Sequence, residues 1–78
     1  MKNKRTYGRV REKIKGIFGT QAAFAKAMGM SHFAISSRLN STIDWSLHEI
    51  EKACQLLNIP IERVGEYFFY TESWERPT

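Results

Sequence analysis

Side chains able to do covalent or metal chemistry are few and scattered: one cysteine, Cys54, two histidines, His32 and His48, and an acidic pair, Glu62 and Glu66. Cys54 falls on the apolar repeat of a helix, where a thiol packs more often than it reacts. One cysteine closes no internal disulfide, and with two histidines it makes no zinc-finger ligand set. Glu62 and Glu66 stand four apart on a short surface helix, an arrangement that serves solubility. No Ser-His-Asp or Cys-His arrangement and no phosphate-cradling glycine loop occurs. The expectation is a protein that is not an enzyme, with no cofactor, metal or small-molecule ligand. The chemistry left is hydrogen bonding and charge. It concentrates in residues 32–42, where His32, Ser36, Ser37, Arg38, Asn40, Ser41 and Thr42 accompany the aromatic Phe33, with Gln21 and Lys26 shortly before.

The charge is polarised. Net charge is +4, yet residues 1–40 carry nine Lys or Arg against Glu12 alone, a net +8, and residues 41–78 carry three against seven acids, a net −4. A chain so divided can turn a basic face to a polyanion; a solvated basic face without a partner fits the charge equally well. Seventy-eight residues, 42% of them hydrophobic, make one domain with a core just able to stand alone. No apolar run approaches the roughly 18 to 20 residues of a membrane span, and the basic start Met1-Lys2-Asn3-Lys4-Arg5 leads into no apolar signal core. The expectation is cytoplasmic, away from any membrane.

These residues must be positioned by helices, because the apolar spacing is helical almost throughout. Tyr7, Val10, Ile14 and Ile17 form one stripe of a first helix, with Thr6 as its N-cap and Gly19 as its left-handed end. Thr20 caps a second helix, Gln21 to Met28, with Phe24, Ala25 and Met28 on its apolar face. Gly29 stops it, Met30 points inward, and Ser31 caps a third helix from about His32 to Leu39. Asn40-Ser41-Thr42 reads as a polar turn with Ile43 beneath it. Ser46-Leu47-His48-Glu49 is a capping box opening a fourth helix, with Trp45 as a hydrophobic staple and Leu47, Ile50, Ala53, Cys54 and Leu57 inward. Asn58 ends it. Pro60 then opens a short fifth helix through about Tyr67, with Ile61, Val64 and Phe68 as its apolar positions. Residues 1–69 make the domain, with 1–6 as a basic arm. The tail 70–78 reads as an added strand, a dimer arm or a disordered end.

Gln21 to Asn40 holds the requirements of a helix-turn-helix: the small Ala25 where two helices touch, Gly29 at the tight turn, and Phe24, Met28, Met30 and Ile35 locking the pair. The stretch resembles the helix-turn-helix of the lambda-repressor-like group, the phage Cro and repressor proteins and their bacterial relatives. The resemblance runs from about Tyr7 to Phe68. Phe18-Gly19-Thr20-Gln21, Phe24-Ala25, Leu39-Asn40 and Gly65-Glu66-Tyr67-Phe68-Phe69 resemble short Cro-like or repressor-like proteins of phages and prophages of Gram-positive bacteria. It implies an all-α, compact five-helix fold with the helix-turn-helix at helices 2 and 3, and a transcriptional repressor binding operator half-sites in double-stranded DNA as a homodimer. The group usually has an apolar residue where this chain has Arg38. Ile35 and Leu39 lie about 40° apart on the third helix, so Leu39 takes that core contact and Arg38 moves to the flank.

With Ile35 and Leu39 inward, His32, Phe33, Ser36 and Ser37 are the expected base contacts. His32 and the serines would bond base edges, and Phe33 would meet thymine methyls. Gln21 aligns with a position that contacts phosphate and braces the first recognition residue, here His32. Lys26, Arg38, Asn40, Ser41 and Thr42 complete the expected phosphate set, the last three through amides and hydroxyls. The alternative is a protein-binding module of the same fold, such as an antitoxin or anti-repressor, for which exposed Phe33 and the aromatics Phe68, Phe69, Tyr70 and Trp74 would be the anchors.

Overall fold

Four residues separate Val10 from Ile14, so both project from one side of α1 (Gly8–Phe18), and both are buried. Ile17 shares that side, only about 20° around the helix from Val10, yet near the C-terminal end of α1 it is 44% exposed, in contrast to the core position its spacing suggested. The computed structural model describes residues 7–69. The expected Thr6 cap, the arm 1–6 and the tail 70–78 lie outside the described residues.

Local hydrogen bonds cut the next three helices to length. The Thr20 hydroxyl accepts from the Ala23 amide at 3.1 Å and starts α2 (Gln21–Met28). At its end Gly29 adopts φ +76°, its amide donating to Lys26 O at 3.0 Å and that of Met30 to Ala25 O at 2.9 Å. This paired closure needs a residue at ease in the left-handed region. Ser31 then accepts from the Ala34 amide and starts α3 (His32–Leu39) after a three-residue turn. Before α4 (Leu47–Leu57), Ser46 and Glu49 form the reciprocal capping box: the Ser46 hydroxyl accepts from the Glu49 amide, and the Glu49 carboxylate from the Ser46 amide. Asn58 closes α4 at φ +57°. Pro60 leads into a 3-10 turn, Ile61–Arg63, which continues as α5 (Val64–Phe68).

The described residues form five α-helices and no strand. Helix α2 is central and packs on α1, α3 and α4, while α5 closes against α1. Val10, Phe24, Ile35, Ala53 and Leu57 are 0% exposed and Phe68 1%. Tyr7, Trp45 and Phe68 meet in an aromatic cluster, with Trp45 edge-on to Phe68 at 5.2 Å between centroids. Met30 packs partly buried against the core. Besides Ile17, three residues expected inside are outside: Ile43 (44% exposed), Leu47 (72%) and Ile61 (59%). Leu47 and Ile61 are the first residues of their helices, and Ile43 lies in the turn between α3 and α4, where the chain has not yet packed onto the core.

Candidate nucleic-acid interface

Packing of Ile35 and Leu39 fixes the roll of α3. Both are buried, Leu39 in the core position left open by Arg38. His32 and Phe33 therefore stand outward at the N-terminal end of α3, and Phe33 is 77% exposed. Gln21, in the first turn of α2, reaches across. Its Nε2 lies 3.2 Å from His32 Nε2 and donates to the Ser36 hydroxyl at 2.7 Å. In the tautomer where His32 Nε2 accepts from Gln21, the ring proton sits on Nδ1 and remains a donor. One side chain of α2 thus orients two polar groups of α3.

Two expected contacts are corrected. Ser37 is 7% exposed, and its hydroxyl donates to Phe33 O one turn back at 3.0 Å. The chain leaving α3 folds over it, the Thr42 and Ile43 amides both donating to Ser37 O. Its hydroxyl is thus turned inward rather than toward a groove, so Ser37 leaves the expected base-reading set. Arg38 leaves the phosphate set. Its Nε and Nη2 donate to the two Glu49 carboxylate oxygens at 2.8 and 3.2 Å, and Nη1 donates to Ala34 O at 2.9 Å. With both side chains of the pair about four-fifths buried, the positive charge is spent within the fold. The Arg38 guanidinium in turn holds the Glu49 carboxyl below its ordinary pKa, against the opposing effect of burial.

The turn after α3 is altered as well. The amides of Asn40, Ser41 and Thr42 donate to Ser36 O, Arg38 O and Ser37 O, so the backbone donors expected to clamp phosphate are used internally. Ser41 adopts φ +65°, a left-handed turn residue. Two side chains offer donors: Thr42 is exposed, and the Asn40 carboxamide oxygen accepts from Arg11 at 3.1 Å, which leaves its NH2 as the donor. Lys26 is exposed on α2.

Arg11 is the residue that sequence reasoning missed. From α1 its Nη2 donates to Leu39 O and to the Asn40 carboxamide oxygen, both at 3.1 Å, closing the C-terminal end of α3. Nothing local signals this pairing, which spans 28 and 29 positions.

The chain has relatives. The family description "Protein of unknown function (DUF739)" matches residues 4–71. Among solved structures, the chain is similar to the solution structure of the modulator of repression (MOR) of the temperate bacteriophage TP901-1 from Lactococcus lactis. Identity is 37% and the TM-score 0.76, over 83% of this chain and 88% of that one. No curated protein matches. The similarity is thus to a small phage regulatory protein, a coarser match than the Cro-like repressor that the sequence resemblance implied.

Proposed function

The chain belongs to the DUF739 family, and from that premise we propose that it is a phage-type regulatory protein whose α2 and α3 bind double-stranded DNA. The observation that carries this reading is the Gln21 bridge to His32 and Ser36. Folding has no need of a polar network on the outer side of a helix whose inner side is already packed. Docking does, because the donors must be pre-set before the duplex arrives. Helix α3, eight residues and roughly 12 Å long, suits the major groove. His32 and Ser36 would read base edges there, and Phe33 would lie against thymine methyls. Lys26, Asn40 and Thr42 would meet the backbone through their side chains, and Gln21, whose carboxamide N–H groups face His32 and Ser36, through its main-chain amide at the start of α2. One such helix reads few bases, so two copies would bind half-sites about 34 Å apart.

The test is binding to the intergenic DNA beside the gene, by fluorescence anisotropy at roughly 50 and 200 mM salt. Neutralising several phosphates predicts an affinity loss of orders of magnitude between the two. Absence of binding at the lower salt removes this reading.

A second reading uses the same face against a protein. It is favoured by Phe33, whose 77% exposure puts a large apolar ring where Ser37 no longer offers a polar contact. The similar phage protein is a modulator of repression, a role that contact with another regulator would also fill. Loss of partner capture with Phe33→Asp, in a chain that ignores DNA, would establish it.

A further inference from the structure

The described arginines divide by what holds their charge. Arg9 and Arg63 both meet Glu66, at 3.2 and 2.8 Å, and Arg38 meets Glu49. Among the described residues Arg11 meets only neutral oxygens, Leu39 O and the Asn40 carboxamide, so there its positive charge is oriented but not cancelled. One turn further along α1, Lys15 lies about 40° around the helix from Arg11, is exposed, and has no carboxylate partner among the described residues. Arg11 and Lys15 line one cleft, together with Ile14, Gly19, Thr20 and Gln21. The Thr20 hydroxyl is already engaged by the Ala23 amide. The cleft therefore combines two uncancelled cations with the Gln21 side chain that braces α3.

We infer that this cleft between the end of α1 and the start of α2 seats backbone phosphates of the DNA, with Arg11 and Lys15 as the cations that hold them. The inference rests on the duplex reading above and adds α1 to it. Arg11 borders both the cleft and the turn after α3, so a strand passing α3 would meet Asn40, Arg11 and Lys15 as one continuous donor rail. Held by two neutral acceptors, Arg11 needs little reordering to accept a phosphate on its remaining N–H groups. Phosphates carry no sequence, so the cleft would set register and affinity and leave the choice of bases to α3.

The experiment measures the salt dependence of full-chain binding to the intergenic duplex and to a random duplex, for wild type, Lys15→Gln, Arg11→Gln and Arg63→Gln. Circular dichroism checks that each is folded. Each phosphate contact contributes about 0.9 to the slope of log K against log salt. Lys15→Gln and folded Arg11→Gln should each flatten the slope by about that amount on both duplexes alike, leaving the affinity ratio between the duplexes unchanged. Arg63→Gln, whose charge Glu66 already meets, should keep the wild-type slope. Wild-type binding with unaltered slopes in Lys15→Gln and Arg11→Gln overturns the cleft and leaves the α3 reading intact. No wild-type binding to either duplex overturns both. A final arm titrates inorganic phosphate at matched ionic strength, following the amides around Gly19. Non-saturating shifts are expected; saturable binding combined with unaltered DNA slopes would reassign the cleft to a free anion and sink the inference.

Discussion

His32 owes its placement to a side chain eleven positions earlier, and the value of that placement is measurable. If His32 reads a base, His32→Ala should cost about 1 to 3 kcal/mol on the preferred duplex and little on random DNA. Anisotropy on both sequences checks this, and equal losses would demote His32 to a backbone or surface residue. Gln21→Ala should reproduce part of the effect without touching a base, because His32 and Ser36 would then sample other rotamers. Ser37→Ala, in contrast, should leave base preference alone, since that hydroxyl is turned onto Phe33 O inside the helix.

At the scale of the elements, α3 is held to α4 by one carboxylate with two duties. Glu49 completes the capping box of α4 and grips Arg38 of α3. Glutamine also serves at that capping position, so Glu49→Gln removes the ion pair while keeping the cap. Because the folded carboxyl titrates below its ordinary value of 4.5, its stabilisation is complete above that value and is lost as pH falls through the lower folded one. The melting temperature of wild type should exceed that of Glu49→Gln at pH 7, and the gap should close on acidification below pH 4.5. A gap that stayed constant would mean the pairing contributes nothing to folding. In the turn before α3, a Cβ on Gly29 would meet nothing within 4 Å, so only its φ of +76° resists substitution. Gly29→Ala should therefore cost about 1 to 2 kcal/mol, the penalty of the left-handed backbone, in chemical denaturation. A much larger loss would point to packing instead.

The whole molecule is small enough that single core contacts decide whether it folds. Phe68, 1% exposed, joins α5 to Tyr7 and Trp45. Phe68→Ala should cost about 3 to 5 kcal/mol, a large share of the roughly 5 to 15 that such a domain possesses, and urea unfolding should show a midpoint shifted far down or no native baseline. An unchanged midpoint would mean that α5 is dispensable. Much of this architecture was legible beforehand. The limits of α2, α3 and α4 follow from Thr20, Gly29, Ser31, Ser46 and Asn58, each acting through hydrogen bonds to residues a few positions away. The exchange of core duty from Arg38 to Leu39 followed from helix geometry set against the family resemblance, and the outward stance of His32 and Phe33 from the inward placing of Ile35 and Leu39. Tertiary structure alone decided that Arg38 is tied to Glu49, that Ser37 is covered by the chain leaving α3, that Arg11 closes the end of α3, and that Ile17, Ile43, Leu47 and Ile61 face water. Helical spacing states which side chains share a face, and a cap states where a helix begins. Neither states how far a neighbouring element extends over that face or which distant charge it brings, because those depend on contacts closed between residues far apart in the chain.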